Sequence, residues 1–269
     1  MIPAVPPPSA PLQLREVPPR AGWAWLRAGL RVFARQPLAI GGLFLMSMMG
    51  VMLVSLLPLV GTLVALALLP AISLGLMLAA RTVAEGRFPM PQVLLAGFRE
   101  SPDATRHMAV LGIIYAVAFL GILAASALAD GGKLARLYLL GGQISEELVR
   151  DAQFRLAVWI SFALYLPLTA AFWHAPALVC WNAVPPVKAL FFSVVACWRN
   201  RGAFLVYGLA CGGVFMAALM AVGLLTAALS SPVLTSGLTM GLVLITAAVF
   251  FSSVYFSYRD CFTTGAPGA

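Results

Sequence analysis

The chain has 269 residues, of which 62% are hydrophobic and 10% charged, and its formal net charge is +8. Soluble domains carry about 25% charged residues, so this chain lacks the polar surface to cover itself in water; a soluble fold is excluded and an integral membrane protein is expected. The basic balance follows a positive-inside pattern, given below, and does not point to nucleic acid.

Residues 1–20, MIPAVPPPSAPLQLREVPPR, are rich in proline and lack the basic start and apolar core of a secretion signal. They read as a disordered tail on the cytoplasmic side. The stretch WAWLRAGLRVFARQPLAI, residues 23–40, follows. Trp23, Leu26, Leu30 and Phe33 recur at helical spacing beside a stripe of Arg27, Arg31 and Arg35. This predicts a helix lying in the membrane interface, with aromatic rings buried and basic groups reaching headgroups. A first hairpin of spans, 38–57 and 61–80, turns around Pro58.

MPQVLLAGFRESPDATRHM, residues 90–108, repeats the amphipathic plan, with Pro102 as an interruption. The second hairpin covers 108–129 and 156–180, joined by a long loop, 130–155. Within that loop Ser145-Glu146-Glu147 should start a short helix, with acids at its positive end. PPVKALFFSVVACWRNRGAF, residues 185–204, opens the third unit. Val187, Leu190, Phe191, Val194, Val195 and Trp198 give it an apolar face, and Lys188, Arg199 and Arg201 join the expected headgroup contacts. Spans 203–229 and 233–258 form the third hairpin, turning around Ser230-Ser231-Pro232. The predicted fold is therefore all-α: six transmembrane helices as three hairpins, each preceded by an amphipathic interfacial helix, in one domain over residues 21–259. Residues 260–269 read as a flexible tail.

One side of this topology carries 13 of the basic residues and the whole net charge of +8; the other side balances to zero. By the positive-inside rule the basic side is cytoplasmic, and both termini lie there. None of the four cysteines falls in the outer loop, so no disulfide is expected. No Cys/His spacing suggests a metal site, and no cofactor is expected.

Within the spans, Pro70 in LLPAIS and Pro167 in YLPLTA occupy corresponding helices. Each would free a carbonyl four residues earlier, Leu66 or Ala163, and bend its helix. Paired breaks mark the binding site of some transporters, but membrane helices also tolerate plain kinks. Gly208 and Gly212, and Gly237 and Gly241, are small-residue pairs that let backbones approach; packing within the chain is the expected use, a lipid or second subunit the other.

FWHAPALVCW, residues 172–181, holds His174, the only His, Asp, Glu, Lys or Arg within the six spans. His174, Trp173, Trp181 and Asn182 form the candidate polar site, and Pro176 should kink the helix and free the carbonyl of Phe172. Three readings stay open: a structural hydrogen bond that fixes a bend, a ligand or headgroup site, and catalysis, which would need a nucleophile and an orienting acid near the imidazole.

At FWHAPALVCW, VPPVKALFFSVVACWRN and GRFPMP the chain resembles an uncharacterised family of bacterial inner-membrane proteins, found mainly in betaproteobacteria, over about Gly22 to Phe251. The resemblance implies fold and location and supplies no catalytic residue. The alternation of interfacial helix and hairpin is also similar to the membrane domain attached to some glycerophosphodiester phosphodiesterases; their soluble catalytic domain has no counterpart in this sequence, so no chemistry follows. The expectation is a non-enzymatic inner-membrane protein acting through lipids, with anionic headgroups foremost, or through a membrane-protein partner or its own copies. The alternative is a small-solute or lipid transporter with a site near the kinked helices and His174.

Overall fold

Each amphipathic segment of the sequence forms its own short element, and each is followed by a pair of long apolar helices. The computed structural model describes residues 12–58, 60–99, 101–229 and 232–264. The first unit is α1 (Ala21–Arg35), α2 (Pro37–Ser55) and α3 (Gly61–Ala84). The second is a 3-10 helix (Pro91–Phe98), α4 (Pro102–Asp130), α5 (Lys133–Leu140), α6 (Glu146–Arg150), α7 (Ala152–Phe172) and α8 (Ala175–Asn182). The third is α9 (Pro186–Arg199), α10 (Arg201–Leu229) and α11 (Pro232–Cys261). Six segments are long and apolar enough to cross a membrane, with α7 and α8 together making the fourth.

Pro102 starts α4 instead of interrupting a helix. It lies in the first turn, where its missing N–H costs nothing, and the Ser101 hydroxyl caps the end by accepting from the Ala104 N–H at 3.1 Å. The second amphipathic element is consequently the 3-10 helix before it, not an α-helix. Ser145 caps α6 as its sequence suggests, accepting from the Leu148 N–H at 3.2 Å. α5 was not anticipated. Asp130, buried at the end of α4, supplies it with a start by accepting from the N–H groups of Gly132 (2.8 Å) and Leu134 (2.7 Å). Lys133 then pairs with Asp151. That bond, followed by the Gln153 N–H, holds the Asp151 carboxyl below its ordinary value of 3.8, and the same bond raises the Lys133 ammonium.

α3 sits at the centre. It packs on α2, α4, α11 and the 3-10 helix, and half of its most apolar stretch is buried. Gly112 of α4 meets it so closely that a Cβ there would stand 2.2 Å from the Ala67 carbonyl oxygen. α1 packs on α10 and α11, and a Cβ on Gly22 would stand 2.1 Å from the carbonyl oxygen of Ala203. Both positions require glycine for backbone approach.

α1 packs inward on a seam that shares only Leu26 with the predicted interfacial stripe. Gly22, Trp25, Leu26, Gly29 and Val32 turn inward, while Trp23 and Leu30 are exposed beside Arg27, Arg31 and Arg35. The reason is size: the small positions set the seam because they let α1 approach α10 and α11. In α9 the same rule holds, and most of the expected apolar face stays outward. Ala189, Ser193 and Ala196 are buried, and Val187, Phe191, Val194 and Trp198 point outward.

Gly208, Gly212, Gly237 and Gly241 do not pack within the chain. No described atom lies within 4 Å of where their Cβ would be. The most apolar 18-residue stretch of α10, which carries Gly208 and Gly212, buries none of its residues, and all four glycines face away from the described chain.

The tails also differ from expectation over part of their length. β1 (Leu12–Leu14) pairs antiparallel with β2 (Phe262–Thr264), with Leu12 opposite Thr264 and Leu14 opposite Phe262. Residues 15–20 continue as a strap to α1. Asn200, buried between α9 and α10, donates to the Arg15 carbonyl at 3.1 Å and accepts from the Val17 N–H at 2.8 Å. Glu16 pairs with Arg199 at 2.6 Å. Backbone and side-chain partners thus order residues 12–20 and 260–264; residues 1–11 and 265–269 lie outside the described part.

Candidate functional site

The fourth span is broken, and the break builds the site. α7 stops at Phe172, Trp173 and His174 are non-helical, and α8 restarts at Ala175. Pro176 falls in the first turn of α8, so it opens a new helix where a kink was expected. Pro70 and Pro167 lie inside α3 and α7, each of which runs through its proline. Thr169 donates to its own i−4 carbonyl, Tyr165, at 2.8 Å and not to Ala163.

A helix break leaves backbone groups without partners, and inside an apolar bundle these must be met. Ser193 of α9 does this twice. Its hydroxyl donates to the Ala170 carbonyl at 2.7 Å and accepts from the His174 N–H at 2.9 Å. Cys197, one turn further along α9, approaches the same carbonyl at 3.7 Å. Burial pushes its thiol up to about 12, which keeps it protonated and unreactive at neutral pH.

The four candidate residues converge on the last turns of α11. Trp173 Nε1–H donates to Ser257 Oγ at 3.0 Å, and His174 Nε2 lies 3.2 Å from the same oxygen. Ser257 in turn donates to the Val254 carbonyl at 2.7 Å. With the hydroxyl proton so used, the bond network places the imidazole proton on Nε2, and Ser257 accepts from both rings. His174 Nδ1 is buried without a hydrogen-bond partner among the described residues. Next along α11, Tyr258 donates to Asn182 Oδ1, and its ring meets Trp181 at 5.0 Å. Arg81 of α3 lies 5.7 Å over the Trp181 ring, a cation–π contact that ties the group to the central helix.

Rings close the surroundings. Phe204, Tyr258 and Phe262 stand 5.3–6.3 Å from the imidazole. Trp173 makes edge contacts with Phe204, Tyr207 and Phe250, and Trp25 of α1 reaches Phe204 at 5.2 Å while donating to Asp260 at 2.9 Å. His174 and Ser193 have no exposed surface, and Ser257 is 1% exposed.

Chemically, Ser257 and His174 satisfy the distance between a nucleophile and its base. The rest of that arrangement is missing: the serine proton is held by Val254, Nδ1 has no orienting acid, and neither group meets solvent. The arrangement suits holding a helix break rigid.

Ser257, Tyr258, Ser193, Phe204, Phe262 and Asn200 were not singled out from sequence. One signal existed: SSVYFSY, residues 252–258, puts Ser253 and Ser257 at i and i+4 in an apolar span. Of the expected headgroup residues, Arg27, Arg31 and Arg35 are exposed, Arg201 lies 5.8 Å over Trp198, and Lys188 lies 5.6 Å over Phe192. Arg199 is instead engaged by Glu16.

The chain is similar to a protein of Burkholderia thailandensis named as a probable inner membrane protein, with 39% identity over 261 residues, covering 96% of this chain and 97% of that one. No family model matches the chain, and no solved structure does.

Proposed function

The chain belongs to the family of that probable inner membrane protein, and from this membership we propose that it is a non-enzymatic inner-membrane protein that engages anionic lipid through its basic end. In this reading the end bearing the β1–β2 ribbon is cytoplasmic, with both termini there. The concentration of basic residues on that side supports it, as does the pairing of the two chain ends after six spans.

One observation carries the lipid reading. α1 is anchored by a close inner seam while Arg27, Arg31 and Arg35 project from its exposed side, next to exposed Trp23 and Leu30. None of the three arginines has a carboxylate partner among the described residues. A rigid helix presenting unpaired cations and an aromatic ring is suited to headgroups, each cation near an anionic surface contributing about 1 kcal/mol. The packed, solvent-free surroundings of His174 count against the transporter alternative, which needs an open path to that residue.

The test is lipid composition. Protein purified from native membranes should carry anionic lipid in excess of the bulk membrane, and the triple change Arg27→Gln, Arg31→Gln, Arg35→Gln should lower that excess several-fold while the protein stays folded. Equal lipid composition in wild type and variant, or solute uptake by reconstituted vesicles, would overturn the reading. A hydrolase is the second reading, on the distance between Ser257 and His174 alone; covalent labelling of Ser257 by a fluorophosphonate probe would establish it.

A further inference from the structure

Between the terminal ribbon and α9 lies a small, partly open cavity of about 80 Å³, lined by Leu12, Leu14, Phe192, Val195 and Phe262. All five lining residues are apolar. The volume is well below the about 300–1,000 Å³ of small-molecule pockets, so it suits the end of a chain and not a whole ligand, and an apolar cavity of this kind disfavours water and accepts apolar groups. Its β-strand wall is built by register. Leu12 and Leu14 are both half-buried, Gln13 between them is exposed, and Phe262 stands opposite Leu14.

Two features say what would enter. First, the helical wall connects the cavity to the lipid-facing side of α9. Phe192 in the wall meets Phe191 at 6.1 Å, and Phe191 is exposed along with Val187, Val194 and Trp198. Second, the lip carries a cation. Lys188 Nζ lies 5.6 Å over the Phe192 ring. It has no ion pair among the described residues, while nearby carboxylates are taken: Glu16 by Arg199 and Asp260 by Trp25 and Arg259.

We propose that this cavity binds the end of one acyl chain of an anionic phospholipid of the surrounding bilayer, with the headgroup at Lys188. The chain enters along the outward face of α9 and ends against Phe262. Phe262 is also the ring that covers His174, 5.3 Å away, so the lipid tail rests on the outer wall of the polar site. The proposal rests on the lipid reading above and narrows it from a charged surface to one seated molecule.

Full-length protein would be reconstituted in phosphatidylcholine vesicles doped with phosphatidylglycerol carrying a diazirine near the end of one acyl chain. After photolysis, adducts would be mapped by mass spectrometry. Lipid merely surrounding the protein labels exposed α10; a seated chain also labels β1, β2 and the Phe192–Val195 wall. We expect ribbon adducts in wild type. Val195→Phe, which fills the cavity, should remove them several-fold while α10 adducts stay; Val195→Ala, which widens it, should keep them. Lys188→Gln should reduce ribbon adducts from the phosphatidylglycerol probe several-fold but leave those from a phosphatidylcholine probe with the same tail. Absence of ribbon adducts in wild type, or ribbon adducts indifferent to Val195→Phe or to Lys188→Gln, overturns the proposal. The wider lipid reading fails separately, by equal labelling of α1 from the two probes.

Discussion

Gly22 on α1 and Gly208 on α10 both sit in glycine-bearing helices, one amphipathic and one apolar, and both look suited to close helix packing. Around Gly22 a Cβ would strike the Ala203 carbonyl; around Gly208 there is open space. The same contrast separates Gly112 from Gly212, Gly237 and Gly241. Small-residue spacing therefore shows where a backbone could be approached, and only a complementary neighbour turns that into packing. α1 finds one because Trp25, Leu26 and Val32 share the face with Gly22 and can be buried against α10 and α11. The glycine-bearing face of α10 finds none, and lipid serves it equally well.

The sharpest way to break this comparison is to add one methyl group on each side of it. Gly22→Ala should destabilise the protein by about 1–3 kcal/mol or more, since the methyl meets backbone that cannot give way. Gly208→Ala should be within about 0.5 kcal/mol of wild type or slightly stabilising. Thermal unfolding of both in one detergent decides; equal shifts would end the distinction.

Next in size is Ser257→Ala, which strips the acceptor from Trp173 Nε1 and His174 Nε2 together. Leaving buried donors unmet costs about 1–3 kcal/mol. If the contact is structural, the variant loses stability, and wild type stays unlabelled by fluorophosphonate.

Asn200→Ala acts nearer the surface, and about 1 kcal/mol is expected for the freed Val17 N–H and Arg15 carbonyl. The informative readout is local: trypsin should cut after Arg15 and Arg20 several-fold faster while the spans stay resistant. An unchanged rate would mean that β1 and the Glu16–Arg199 pair hold the strap without Asn200.

The smallest effect concerns pH at the opposite end. Asp151 is lowered by Lys133, so its contribution is present above the ordinary value of 3.8 and is lost as pH falls through its lower folded value. Lys133 is raised, so its share is complete below 10.5 and fades as pH climbs past that value. Amide exchange in α5 and α6 should accelerate below about pH 4 and stay flat between, and Lys133→Met should flatten the acid limb.

Much of this architecture is legible in the residues. Apolar runs bounded by Pro, Ser and Arg locate the six spans because the bilayer fixes their length. The caps at Ser145 and Ser101 follow from local chemistry, although Pro102 first reads as an interruption. The inward seams of α1 and α9 are not legible, because hydrophobicity sorts residues from water. In a bilayer both faces are apolar, and size decides which turns in. His174 stood out by its charge type alone. Its partners Ser193 and Ser257 lie 19 and 83 residues away, and such distance pairings depend on how helices are arranged. The ordering of residues 12–20 escaped for the same reason: proline-rich sequence suggests disorder, but Asn200, Glu16 and β2 supply partners that only the fold brings near.

The ribbon also fixes the order in which the protein can be completed. Leu12–Leu14 leave the ribosome before the first span, and their partner strand, Phe262–Thr264, leaves it after the sixth. Through the insertion of all six spans β1 has no strand to pair with, and the aromatic ring that covers His174 does not yet exist. Closing the ring wall of the polar site therefore waits for the residues that follow the sixth span. A chain cut before Phe262 would carry every span and lack one of the three rings around His174.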